Sequence, residues 1–313
     1  MTLIDHPDNP IPEGGVSGFI ETGDFKKIRY AHWPPAGGQR RGTVTVLQGR
    51  AEFIEKYFEV VRDLRNRGFA VIVFDWRGQG GSQRLLRNGR KGHVRSVRGY
   101  REDLHSILKQ VSLAEYPGPH FALAHSTGAA VLWSDAVRLR TMLDRAVLSA
   151  PLVGMLGNGW KQRWAFRLAF LLKWIGLGRM FVPGGNGELF IGFENNRQTQ
   201  DRKRFERAEA VLKKAPELGI GAPTVGWLYA VSRMLLSFRR RTFGPSVSLP
   251  CLVVAAGHDR IVSTPAIEEL VTRVKAAGYL EIAGAEHELL MERDAIREQF
   301  WAAFDAFIPG QAR

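Results

Sequence analysis

The chain has one cysteine in 313 residues, Cys251. That count excludes an internal disulfide framework. Cys251 opens the apolar run CLVVAA, where a buried, inert thiol is expected. Also missing is any uncharged apolar run of about 18 residues or more, the length that spans a bilayer. The nearest approach, 164–182, is broken by Arg167, Lys173 and Arg179. The opening MTLIDHPDNPIPEGG has neither the basic start nor the apolar core of an export signal. With the lone cysteine, this gives the cytoplasm as the expected location, with peripheral contact at a membrane as an extension. Acidic residues are in deficit: 31 Asp and Glu against 44 Lys and Arg, a net charge of +13. Such a balance suits anionic partners. Zinc-finger spacing and RNP-type aromatic signatures are absent, so nucleic acid is disfavoured as a partner, and an anionic membrane surface is the preferred reading. No His/Cys cluster has metal-ligand spacing and no loop has the pattern of a phosphate cradle. Neither a metal nor a nucleotide cofactor is expected.

What is present reads as a globular enzyme: 45% of residues are hydrophobic and 24% charged. Short β-rich runs occur at 16–21, 27–32, 43–48, 70–75, 121–125, 146–150, 251–256 and 279–282. The later ones are continuous apolar runs, the pattern of strands buried on both faces of a parallel sheet. Helical segments fall between them at 51–67, 98–113, 127–139, 265–277 and 289–307. Alternation of this kind predicts an α/β fold with a mostly parallel, doubly wound sheet of about eight strands. It breaks once. Residues 151–248 hold no convincing strand but carry helix-like pieces at 162–176, 201–215 and 224–238. The expected organisation is a catalytic domain from 1–150 and 249–313, with 151–248 inserted as a helical cap.

In open α/β sheets the chemistry sits at the carboxyl ends of the strands. Ser126 lies there, in Ala124-His125-Ser126-Thr127-Gly128. Alone, this is a weak form of the Gly-x-Ser-x-Gly elbow, with Ala124 in the first glycine's place, and a serine capping a helix remains the alternative. Two partners change the balance. A serine hydroxyl needs a base to take its proton and an acid to orient that base. Asp259 follows one strand in AGHDRIV, and His287 follows the next in GAEHELL. The order Ser, Asp, His is that of the α/β-hydrolase arrangement. His125 and His258 adjoin proposed partners, so their side chains are expected to point elsewhere. His93, His105 and His120 lie without a matching acid. The backbone N–H groups of Thr127 and Arg50 are the expected oxyanion donors, Gly49 letting the chain turn inward.

The stretches LQGRAEFIEKY, FDWRGQGGSQR, LAHSTGAAV, AAGHDRIV and GAEHELLMERD together resemble the serine α/β hydrolases of the lysophospholipase and monoacylglycerol lipase group. The resemblance runs over roughly residues 15–308. It implies Ser126 as nucleophile, Asp259 as acid, His287 as base, and an oxyanion hole from Arg50 and Thr127. The Asp-x-Arg-Gly-x-Gly-x-Ser turn, Asp75 to Ser82, reads as structural. One departure is Gln48, where the family usually has histidine before the oxyanion turn.

Residues 163–175 place Arg163, Arg167 and Lys173 in one arc with Phe166, Phe170 and Trp174, the rest being Trp, Leu, Ile and Ala. A helix apolar nearly all round is expected to be covered on more than one side. The expected activity is hydrolysis of a carboxylic ester bearing one acyl chain, a lysophospholipid or monoacylglycerol, through an acyl-enzyme. Rival readings are a peptidase, amidase or general carboxylesterase on the same fold, and a non-catalytic protein that binds membrane surfaces.

Overall fold

A computed structural model describes residues 2–37, 40–157 and 159–309. The strands are β1 (Val16–Glu21), β2 (Lys27–Trp33), β3 (Gly42–Leu47), β4 (Phe69–Phe74), β5 (His120–His125), β6 (Arg145–Ser149), β7 (Cys251–Ala256) and β8 (Ala277–Ile282). They form one sheet in the order β1-β2-β4-β3-β5-β6-β7-β8. The pairs β1–β2 and β2–β4 are antiparallel and every later pair is parallel. Residues of β3, β4 and β5 are all buried, as GTVTVL, FAVIVF and HFALAH require of strands covered on both faces. β8 departs from that expectation. It is an edge strand with only Ile282 buried, because no strand pairs beyond it.

The helices are α1 (Phe58–Asn66), α2 (Val97–Ile107), α3 (Leu113–Glu115), α4 (Ser126–Ser134), α5 (Ala136–Leu139), α6 (Gly159–Trp174), α7 (Arg202–Lys214), α8 (Val225–Phe238), α9 (Phe243–Ser246), α10 (Thr264–Val271) and α11 (Asp294–Phe307). Several differ from the sequence expectation. The helix foreseen at 51–67 begins only at Ile54, as a tight 3-10 turn leading into α1. Ala51 has φ 63°, in the left-handed region, so it shapes a loop instead. α10 stops at Val271, and Ala277 is already the first residue of β8. The last helix is split, with a 3-10 turn at Leu289–Met291 before α11.

Among the described residues of 151–248 there is no strand, only helices and isolated bridges. α6 packs on α8. Its outer surface is not covered as expected: Trp164 is 60% exposed, Leu171 59% and Trp174 76%, and Ile175, directly after it, 70%. Residues 151–248 are fastened to α2 and to the segment after β8. The Trp227 indole N–H donates to the Tyr100 hydroxyl at 3.2 Å. The Thr199 hydroxyl donates to the Met291 carbonyl at 2.7 Å, and the Glu288 N–H to the Gln198 carbonyl at 2.7 Å.

Candidate active site

Ser126 comes directly off the end of β5 as the first residue of α4. Its φ is 49°, a left-handed conformation that costs a non-glycine residue on the order of 1–3 kcal/mol. Close packing of strand and helix holds it there. A β-carbon at Gly128 would lie 2.5 Å from the Gln48 carbonyl oxygen and 2.6 Å from that of Leu47, so that position demands glycine. Ala124 is different. It sits within the sheet opposite Leu47 and Leu148, fully buried, and its methyl is accommodated.

The structure brings the three sequence-predicted side chains together. His287 Nε2 lies 3.0 Å from Ser126 Oγ, and its Nδ1 lies 2.6 Å from Asp259 Oδ2. The other oxygen, Oδ1, accepts the Ile261 and Val262 N–H groups, both at 2.8 Å. Asp259 is therefore fixed in one orientation and does not cap α10, whose cap is Ser263. All three residues are buried, Ser126 and Asp259 at 8% exposure and His287 at 3%.

Thr127 is the second residue of α4, where the helix offers its N–H no carbonyl one turn back. In the loop after β3, the Gly49 N–H donates to the Glu52 carboxylate and the Ala51 N–H to Gln79 Oε1 at 3.3 Å. The Arg50 N–H between them donates to no group among the described residues. Both predicted oxyanion donors thus carry free N–H groups. Gln48 contributes to the loop's frame: its carbonyl accepts the Trp76 indole N–H at 2.8 Å, and its amide donates to Asp75 Oδ1 at 3.3 Å. Asp75 also accepts from Gly81 N–H at 2.7 Å, Ile54 N–H at 2.9 Å and Arg29 Nε at 2.8 Å. The Asp75–Ser82 turn is a buried brace behind the oxyanion loop.

Two expectations about histidines need correction. His125 does not point away: its ring centroid is 4.8 Å from that of His287. His125 is the last residue of β5 and His287 lies in the loop after β8, and that loop brings its ring over the end of β5, so adjacency of His125 to the nucleophile did not separate the rings. The His125 Nδ1 lies 3.2 Å from the Ser149 carbonyl, which only accepts, so Nδ1 carries the proton. Burial lowers its pKa to about 4, leaving a neutral ring. His105 does have an acid, Asp135, at 2.7 Å, a partner that follows α4 and is remote in sequence. His93 and His120 bond Thr224 and Ser112 instead, and His258 lies 3.9 Å from Glu286.

One group was not foreseen. Lys56 Nζ donates to Glu52 Oε1 at 2.9 Å and to Glu288 Oε1 at 2.6 Å. Glu52 also accepts the Tyr57 hydroxyl at 2.8 Å. A buried ammonium therefore ties the oxyanion loop to the residue that follows His287. Burial, the largest single influence, would raise Glu52, but the charge of Lys56, the neighbouring His125 and the hydrogen bonds from Lys56 and Tyr57 together outweigh it and bring the carboxyl down to about 2. The one-turn spacing of Glu52 and Lys56 was visible in the sequence, whereas Glu288 lies 232 residues from Lys56. Ligand atoms of Glu52, His125 and Glu288 lie within 4.8 Å of one another, a spacing that fits a cation. The Lys56 ammonium already bonds both glutamates, so this set is better matched to an internal ion pair than to a metal.

The family model for Hydrolase_4, described as serine aminopeptidase, S33, matches residues 38–294. The chain is 31% identical over 269 residues to lysophospholipase L2 of Escherichia coli, covering 81% of this chain and 76% of that one. It is 28% identical over 290 residues to a probable lysophospholipase L2 of Haemophilus influenzae, covering 91% and 90%. Among solved structures, a monoglyceride lipase variant from Saccharomyces cerevisiae superimposes with a TM-score of 0.71 at 18% identity, covering 94% of this chain and 96% of that one. A monoacylglycerol lipase from Paleococcus ferrophilus does so with a TM-score of 0.68 at 21% identity, covering 90% and 98%. With an α/β-hydrolase sheet, a serine at the strand-to-helix elbow and these relatives, the chain belongs to the Hydrolase_4 (serine aminopeptidase, S33) family and, within it, to the lysophospholipase type.

Proposed function

We propose that the chain hydrolyses carboxylic esters of single-acyl lipids, with Ser126 as nucleophile, His287 as base and Asp259 as the acid that orients it. The observation that carries this is the hydrogen-bonded run from Ser126 Oγ through the His287 ring to Asp259 Oδ2. His287 Nε2 takes the seryl proton as Oγ attacks the acyl carbonyl. Asp259 keeps the Nδ1 proton in place and stabilises the imidazolium that forms. The Arg50 and Thr127 N–H groups receive the oxyanion. The imidazolium gives its proton to the departing glycerol oxygen, and an acyl-enzyme remains. Water, deprotonated by the same ring, then releases the fatty acid. Kinship with lysophospholipases L2 supports the lipid ester as substrate.

In this reading, 151–248 is a cap over the site, and its helix α6 rests on an anionic lipid surface. Support comes from the exposed Trp164, Leu171, Trp174 and Ile175 beside Arg163 and Arg167, on a chain of net charge +13.

The test is a side-by-side assay on 1-acyl lysophosphatidylethanolamine, monoacylglycerol, a short soluble ester and an aminoacyl arylamide. Turnover of the two lipids, lost in Ser126→Ala, is expected. Turnover of the arylamide alone would favour a peptidase, and turnover confined to the short ester would remove the lipid substrate.

A further inference from the structure

Arg50 supplies an oxyanion donor through its backbone, but its side chain is an oddity. The side chain is half-buried, its Nε fully so, and no carboxylate forms an ion pair with it among the described residues. One Nη donates to the Gly221 carbonyl, the group lies 5.4 Å from the Trp227 ring centroid, and the Nε has no hydrogen-bond partner. Burying a cation without a counter-charge is costly, and protein interiors seldom retain one without a use. Burial draws its pKa down to about 10, which leaves it charged at neutral pH.

The surroundings point to that use. Arg50 lines a cavity of about 280 Å³ between the oxyanion loop and the insert. Two other cations, Lys56 and Arg204, line the same cavity, and both are committed. Lys56 bonds Glu52 and Glu288, while Arg204 bonds Glu59, Asp201 and Asp294. Of the three, Arg50 alone has no carboxylate partner among the described residues, and its Nε donor is unused. Its reach also fits. As many covalent bonds separate an arginine's guanidinium carbon from its backbone nitrogen as separate the phosphorus of a 1-acyl lysophospholipid from its ester carbonyl carbon. A substrate whose carbonyl oxygen meets the Arg50 N–H can therefore lay its phosphate alongside the same residue's side chain.

We propose that the Arg50 guanidinium binds the headgroup phosphate of a lysophospholipid, making Arg50 the residue that favours phosphate-bearing over neutral single-acyl esters. The assignment rests on the hydrolase reading above. Arginine matches phosphate through paired N–H donors, and the buried setting strengthens the contact. The bonds to Gly221 and the stacking on Trp227 hold the side chain ready, and they belong to the insert that closes the cavity.

The test compares kcat/KM for a lysophospholipid and a monoacylglycerol of the same acyl chain, after Ser126-dependent turnover of both has been established. Arg50→Met is expected to lower the lysophospholipid-to-monoacylglycerol ratio by about 10- to 100-fold, chiefly through KM. Arg50→Lys should recover part of it. Any disturbance of the oxyanion loop falls on both substrates and cancels in the ratio. An unchanged ratio, with Ser126-dependent turnover intact, overturns the assignment and leaves the hydrolase reading standing. A second measurement uses the wild-type protein alone: inhibition of monoacylglycerol hydrolysis by sn-glycerol 3-phosphate, inorganic phosphate and glycerol. Inhibition by glycerol 3-phosphate at least about tenfold stronger than by the other two is expected for such a charge-assisted contact. Equal potency of inorganic phosphate would mean a general anion site, and equal potency of glycerol would mean no phosphate contact; either contradicts the proposal.

Discussion

At the scale of single residues, the elbow separates two positions that the usual motif treats alike. A side chain at Gly128 would meet the carbonyl oxygens of Leu47 and Gln48, whereas Ala124 already carries its methyl, fully buried within the sheet. Gly128→Ala should therefore push the Gln48 carbonyl away and displace the Arg50 N–H. A loss of about a hundredfold in kcat is expected, the scale of one oxyanion donor, with destabilisation of about 1–3 kcal/mol from overpacking. Ala124→Gly should leave kcat within a few-fold. Steady-state kinetics and thermal melts on the pair check this, and equal damage from both would contradict it. Ser126, Asp259 and His287 were legible in the sequence because each sits just past a strand that its apolar run announces. Lys56 as a bridge was not, because its second partner is fixed by the fold and not by spacing. The direction of the His125 ring was also hidden: a strand residue next to the nucleophile turns toward whichever loop covers that face, here the one bearing His287.

At the scale of elements, the helical period located α6, α7 and α8 to within a few residues. It gave no warning that α6 would be covered on one side only. Period reports which residues share a face, not whether anything packs on it. That exposed surface carries a prediction. Trp164 and Trp174 together should contribute to binding vesicles of anionic lipid, because indole rings favour the interface. Replacing both with Ser should weaken partition onto phosphatidylglycerol vesicles by about tenfold or more while leaving hydrolysis of a short soluble ester unchanged. Sedimentation with vesicles measures it, phosphatidylcholine serving as the uncharged control. Undiminished partition would mean that α6 is not the contact. β8 teaches the same lesson for strands: its residues read as apolar enough for the interior, yet it lies at the sheet edge, a matter of topology.

At the scale of the whole molecule, two buried groups make stability depend on acid in separate pH ranges. The His125 ring is held near pKa 4, from an ordinary value of 6.5, chiefly by burial. Its unfolded form takes up a proton first, so stability is full above pH 6.5 and declines as the pH falls toward 4. The His125 share of that loss is about 2 kcal/mol between pH 7 and 5. Glu52 acts lower. Burial raises it, but Lys56, His125 and the Tyr57 hydroxyl together pull it down to about 2 from 4.5, so its contribution is present above pH 4.5 and lost between 4.5 and 2. Urea denaturation of wild type and His125→Gln at pH 7 and pH 5 reads the first stage. The variant should lose the smaller amount, and equal losses would contradict the assignment. The overall architecture was the most legible level of all. Strand–helix alternation and its one interruption follow from hydrophobic runs and turns that are local in sequence, while the antiparallel start of the sheet depends on pairing that no single run encodes.

The central claim is that Ser126 is the nucleophile. Peptide mapping by mass spectrometry after treatment with a fluorophosphonate tests it most directly. A single covalent adduct on Ser126 is predicted, absent from Ser126→Ala and strongly slowed in His287→Gln. A folded protein that carries no adduct on Ser126, or that is labelled equally well with Ser126 replaced, would contradict it.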